Sequence, residues 1–158
     1  MQTNNKELFP ADPRDMQLLA QAREMIVAET ATCIVIRGGA IVRTGSGRGV
    51  KPLLAVYESE PELLQGAILA DKIIGKAAAM IAVLSGVQRV FALTMSAAAR
   101  EYLTEHDIPC TCSCEVEMIQ NRTGDGLCPL EQSVLTQTDP EEGYHALKNT
   151  IRQLMANR

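Results

Sequence analysis

Thr32-Cys-Ile-Val-Ile-Arg-Gly-Gly-Ala-Ile-Val-Arg-Thr44 is the stretch on which the fold turns. Two runs rich in β-branched residues flank a Gly-Gly pair, and glycine tolerates the positive φ that a tight hairpin turn demands. The stretch predicts a β-hairpin. Upstream, Asp12-Pro13 reads as an N-cap followed by proline at the first helical position. Met16, Leu19, Ala20, Arg23, Ile26 and Val27 then recur at helical spacing and predict a helix ending near Glu29.

Downstream, Lys51 to Glu58 reads as a short helix and Pro61 opens a turn. Ala67-Ile-Leu-Ala70 reads as a short strand, with Asp71 as the N-cap of an apolar helix running to about Leu84 and stopped by Ser85-Gly86. Arg89-Val-Phe-Ala-Leu-Thr94 is a strand, and Ser96 caps a helix through about His106. Pro109 to Val116 is another strand, Pro129 begins a helix, and Asp139-Pro140 caps the last one, Glu141 to Met155. A hairpin followed by alternating helices and strands predicts an α/β class. The sheet is mixed, of about five strands, with helices on both faces. Residues 1–12 are polar and read as a loose N-terminal segment, and 13–158 as a single domain long enough to bury a core.

Composition excludes several functions. Aromatics make up 3% of the chain and Trp is absent, which argues against the stacking platforms that single-stranded nucleic acid needs. A formal net charge of -4 argues against general phosphate-backbone binding, so no nucleic-acid partner is expected. No stretch approaches the roughly 18 apolar residues of a membrane span. The start, Met1-Gln-Thr-Asn-Asn-Lys-Glu-Leu8, has no apolar h-region of the secretory kind. The 5 cysteines are odd in number and fit reduced thiols, so a cytoplasmic location without a disulfide framework is expected.

Three segments carry the functional signal. Gly45-Ser-Gly-Arg-Gly-Val-Lys-Pro52, Ala70-Asp-Lys-Ile-Ile-Gly-Lys-Ala77 and Asn121-Arg-Thr-Gly-Asp-Gly-Leu-Cys-Pro-Leu-Glu131 each set glycine beside charge where regular structure starts or stops. Glycine lets the backbone approach a ligand, and a charged side chain at a helix entrance can meet it. The first segment lacks the Gly-Lys-Ser/Thr ending of a Walker loop, yet Arg48 and Lys51 can face a phosphate or carboxylate. Lys72, placed in the first turn of the expected helix, opposes the macrodipole and calls for a negative partner, either Asp71 or a bound anion. Together the segments predict one composite pocket for a small anionic or nucleotide-like ligand. Its candidates are Gly47, Arg48, Gly49, Lys51, Asp71, Lys72, Asn121, Arg122, Cys128 and Glu131.

At Gly47-Arg-Gly-Val-Lys-Pro-Leu-Leu54, Ala70-Asp-Lys-Ile-Ile-Gly-Lys-Ala-Ala78, and Asn121-Arg122 with Cys128-Pro-Leu-Glu131, the chain resembles an uncharacterised bacterial family. That family is a domain of unknown function assigned to the cytidine-deaminase-like fold. The resemblance spans nearly everything after residue 30 and implies a three-layer sandwich. A zinc deaminase places a His or Cys with a Glu two residues on at one helix entrance, and Pro-Cys-x-x-Cys at the next. Here the first entrance reads Asp71-Lys72-Ile73 and the second Thr94-Met-Ser-Ala-Ala-Ala99, with neither ligand set. The implied domain has the fold without zinc-deaminase chemistry, and no metal or cofactor is expected.

Other readings stand beside this one. Cys110, Cys112 and Cys114 alternate on one strand face, where with Cys33 or Cys128 they suggest a soft metal. They span roughly 13 Å of strand, however, and free thiols also pack as small hydrophobes. An enzyme of unrecognised chemistry would use Asp71, Lys72, Cys128 and Glu131. A Cys128 nucleophile would need a base, and only His106 and His145 exist. The third reading is an interaction module, its alanine-rich helix packing closely and supporting a homo-oligomer.

Overall fold

The computed structural model describes residues 2–3, as backbone, and 12–157. Most of the segment 1–12 therefore lies outside the described residues. The chain order is β1 (Gln2–Thr3), α1 (Pro13–Val27), β2 (Cys33–Arg37), β3 (Ala40–Gly45), α2 (Lys51–Ser59), a 3-10 turn (Pro61–Leu63), β4 (Ile68–Ile74) and α3 (Lys76–Ser85). It continues with β5 (Arg89–Ser96), α4 (Ala97–Glu105), β6 (Cys110–Val116), α5 (Pro129–Ser133) and α6 (Pro140–Ala156). Five strands of 5 to 8 residues form the mixed sheet, and the two-residue β1 lies antiparallel on its β6 edge. None of the described helices is long and apolar enough to cross a membrane.

The hairpin forms as its glycines demand: Gly38 and Gly39 both have positive φ, 61° and 75°. Across it the register slips between Val35 and Ile36, which pair with Arg43 and Ile41. Val42 is the extra residue of a β-bulge on the edge strand. Such a bulge twists an exposed edge away from pairing with another chain.

β2 is antiparallel to both β3 and β4, and β4, β5 and β6 are mutually parallel. Hence β3, β4, β5 and β6 all point the same way. Their crossovers run through α2, α3 and α4, and since the chain moves steadily in one direction these stay on one face. That face carries the larger core, built around Leu53, Leu69, Met80, Ile81, Leu103 and Leu147. The other face is covered by α1, whose Ala22 and Ile26 pack on Ile34, Ile36, Ile68, Ala70 and Phe91. The result is three layers, with α6 lying outside α3.

α3 is enclosed almost all round, with Ala77 to Ala82 and Ser85 buried. Alanine lets neighbours come close, and Gly143 of α6 sits directly on Met80. Tyr144 and Lys148 of α6 then bind Glu58 of α2 at 2.7 and 3.0 Å. All four parallel strands deliver their carboxyl ends, and α2, α3 and α4 their N-termini, to one edge of the sheet.

Candidate functional site

That carboxyl edge gathers all three glycine-bearing segments. Residues 45–50 leave β3 there, Gly75 leaves β4, and the loop of 117–128 follows β6. Thr32, at the mouth of β2, ties two of them together. Its hydroxyl accepts from the Gly47 amide at 3.1 Å, its amide donates to the Gly45 carbonyl at 2.9 Å, and its carbonyl accepts from the Lys72 amide at 2.9 Å. Pro52 closes on Gly47, where an added Cβ would lie 3.2 Å from the proline ring. Gly49 has φ +56°, a conformation in which other side chains are strained. Arg48 and Lys51 project into solvent beside α2, whose N-terminus has no side-chain cap.

The expected helix boundary at Asp71 is corrected. β4 runs on through Asp71-Lys72-Ile73-Ile74, and α3 starts only at Lys76, with Gly75 extended at the N-cap. The β-branched Ile73 and Ile74 prolong the strand, and Asp71 pairs with Cys33 across β2 instead of capping a helix. Lys72 is consequently not in a first helical turn. Strand alternation sends Asp71 and Lys72 to opposite faces. Lys72 meets Glu29, beyond the end of α1, at 3.6 Å.

The lysine that does open α3 is Lys76, and its negative partner is Glu131. The Glu131 carboxylate accepts from the amides of Lys76 at 2.8 Å and Ala77 at 3.2 Å. It holds the position that an anion takes at a helix N-terminus. Burial raises its pKa, while the two amides and the Lys76 charge pull the other way. Gly75 leaves room for this contact, since a Cβ there would lie 2.3 Å from Glu131 Oε1 and the carboxylate would have to shift. The Lys76 ammonium donates to the Leu135 carbonyl at 3.0 Å, and Val134 is fully buried, so α5 is bolted to α3.

Asp71 is the unusual group of the edge. It is 3% exposed, and its Oδ1 accepts from the Ile73 amide at 3.3 Å. Among the described residues its Oδ2 is buried without a hydrogen-bond partner. Burial pushes its pKa up to about 7, opposed by the bonds from Ile73, Cys33 and Lys72. Burial and then the Asp71 charge push the Cys33 thiol well above the ordinary range. A carboxyl and a thiol thus face each other on the helix-covered side, both favouring the protonated form.

The remaining candidates do not join Asp71. Asn121 folds its own loop: its side chain donates to Asp125 at 2.9 Å and accepts from the Asp125 amide at 3.2 Å. Arg122 is exposed at the tip, and Cys128 stands half-buried at the N-cap of α5 without a side-chain cap bond. Cys110 and Cys112 are buried in the core, whereas Cys114 is exposed. The helix entrances read Gly75-Lys76-Ala77 and Ser96-Ala97-Ala98-Ala99, and Ser96 caps α4 by accepting from Ala99 at 3.1 Å. Among the described residues no group of three or more His, Cys, Asp or Glu is placed to hold a metal.

Sequence reading did not single out Thr32, named Cys33 only among possible metal ligands, and carried Gly75 and Lys76 in the second segment without giving them this role. For Gly75 a signal existed, glycine immediately before an alanine-rich run. Cys33 needed the strand pairing to bring it to Asp71.

No curated protein matches the chain. In fold it is similar to a DUF1893 family protein (TM1506) from Thermotoga maritima, with a TM-score of 0.74 at 21% identity over 94% of this chain and 93% of that one. The family model described as a domain of unknown function (DUF1893) matches residues 21–151. The chain therefore belongs to the DUF1893 family.

Proposed function

We propose that this domain binds a small nucleotide-like ligand at the carboxyl edge of its sheet. The buried, unpartnered Oδ2 of Asp71 carries the reading, because a buried carboxyl oxygen without a partner costs free energy that a ligand donor recovers. Gly45, Cys33 and Asp71 lie in one row across three adjacent strands, so the loop bearing Arg48 and Lys51 begins about 10 Å from Asp71. An amino or ring N–H group on Asp71 and an anionic group on Arg48, Lys51 and the start of α2 fit that span. The hairpin followed by three parallel strands with helices between them supports a cytidine-deaminase-like fold. The two helix entrances, closed by Glu131 and Ser96, support binding without a zinc-deaminase site.

The test is a titration of the isotope-labelled protein with AMP, CMP, GMP and UMP, read by amide NMR. Saturable shifts are expected at Cys33, Gly45 to Lys51 and Asp71 to Ile73, weakened in Arg48→Ala and lost in Asp71→Asn. No saturable shift with any of the four, or shifts away from this edge, overturns the reading. One observation favours an enzyme instead: a carboxyl that titrates near neutrality suits general acid–base work. Mass analysis of the bound nucleotide after incubation separates the two, since only an enzyme returns it altered.

A further inference from the structure

We infer that binding at the carboxyl edge is proton-coupled: the N–H group of the ligand displaces a proton from Asp71 Oδ2, so that acidification releases the ligand. This coupling rests on the nucleotide-site reading, in which a ligand donor meets that same oxygen.

One atom has two claimants. Asp71 Oδ1 is already committed, accepting from the Ile73 amide at 3.3 Å, whereas Oδ2 is buried without a hydrogen-bond partner among the described residues. The proton of a neutral carboxyl therefore sits on Oδ2, where it makes a donor. An N–H group of a ligand meets that hydrogen head-on. A carboxylate oxygen, by contrast, is a strong acceptor for it. Binding thus sends the proton to solvent and leaves Oδ2 to the ligand.

Among the described residues no cation faces Asp71 to ionise it beforehand. From β2 the titratable neighbour is Cys33, itself kept protonated by burial. β5 sets the uncharged Ala92 beside it in register, and α2 and α3 turn apolar residues inward over the same face. The charges near this edge are engaged elsewhere. Lys72 points to the opposite face and meets Glu29, and Lys76 gives its ammonium to the Leu135 carbonyl. Glu131 accepts from the α3 amides, and Arg100 of α4 pairs with Glu115. Lys51 is exposed at the start of α2. A buried carboxylate with no cation beside it is disfavoured, and burial keeps Asp71 protonated up to about pH 7. A ligand donor stabilises the ionised form alone. By linkage the occupied site titrates lower than the free one, and each pH unit between the two midpoints changes affinity about tenfold.

The experiment is carboxyl carbon NMR of aspartate-labelled protein across pH, free and with AMP, CMP, GMP or UMP. The Asp71 resonance is the one missing from Asp71→Asn. It is expected to titrate at about pH 7 in the free protein. Under any nucleotide that shifts the edge amides saturably, its midpoint should fall by about one pH unit or more, equivalent to about tenfold tighter binding by the ionised form. An unchanged or raised midpoint with saturable amide shifts overturns the coupling and leaves the nucleotide site standing. So does a free midpoint near the ordinary 3.8. No saturable amide shift with any of the four overturns both.

Discussion

Replacing Asp71 by asparagine is expected to stabilise the protein at pH 8 and to do little at pH 4. In the folded chain the Asp71 carboxyl keeps its proton up to about pH 7, whereas an unfolded aspartate releases it near 3.8. Between those values the folded state binds more protons than the unfolded one, so stability falls as pH rises through that window. The contribution is full below about pH 4 and gone above about pH 7. The difference corresponds to about 4 kcal/mol, an upper figure because water drawn toward an ionised Asp71 relieves part of it. Asparagine keeps the shape and carries no titrating proton. The free-energy difference between variant and wild type should therefore climb from pH 4 to 7 and then level off. Urea unfolding followed by far-UV circular dichroism at about four pH values measures it, and subtraction cancels other titrating groups such as Glu131. Two stability curves that stay parallel across the window would refute the reasoning.

Other outcomes follow from particular contacts. Glu131→Ala removes the acceptor for two α3 amides and should cost about 1–2 kcal/mol in urea unfolding. Gly75→Ala forces a Cβ onto that carboxylate, so it should destabilise the wild type yet cost markedly less in the Glu131→Ala background, a coupling that a double-mutant cycle reads directly. Ser96→Ala should cost about 1 kcal/mol through the lost cap of α4. Under native conditions iodoacetamide should label Cys114 first. Cys33 and Cys110, both buried and the latter pushed up to about 11, should react only after denaturation, which peptide mass mapping resolves.

Local signals were legible in the sequence and long-range ones were not. Gly38-Gly39, Asp12, Ser96 and Asp139 announce a hairpin and three helix starts, because each acts on amides two or three residues away. The start of α3 was misread because Asp71 has the chemistry of an N-cap, and nothing local reveals that it pairs with Cys33. Lys72 was expected in a first helical turn, but the lysine that stands there is Lys76, whose amide donates to Glu131 and whose ammonium donates to the Leu135 carbonyl. The three glycine-bearing segments, read as one pocket, leave β3, β4 and β6 at one edge of the sheet. The same signal overstated Asn121, whose polar side chain is spent on Asp125 within its own loop.

The clip between Glu131 and α3 also bears on the order in which the molecule matures. Its two ends are 55 residues apart for the Lys76 amide, so the first turn of α3 cannot be capped until most of the chain has emerged from the ribosome. A nascent chain ending before residue 131 already carries the whole alanine-rich helix, but with a lysine at its entrance and no carboxylate to meet it. Closing a loop of that length costs chain entropy that a cap from a neighbouring residue does not. The last third of the chain thus acts as the lock on a helix synthesised long before it.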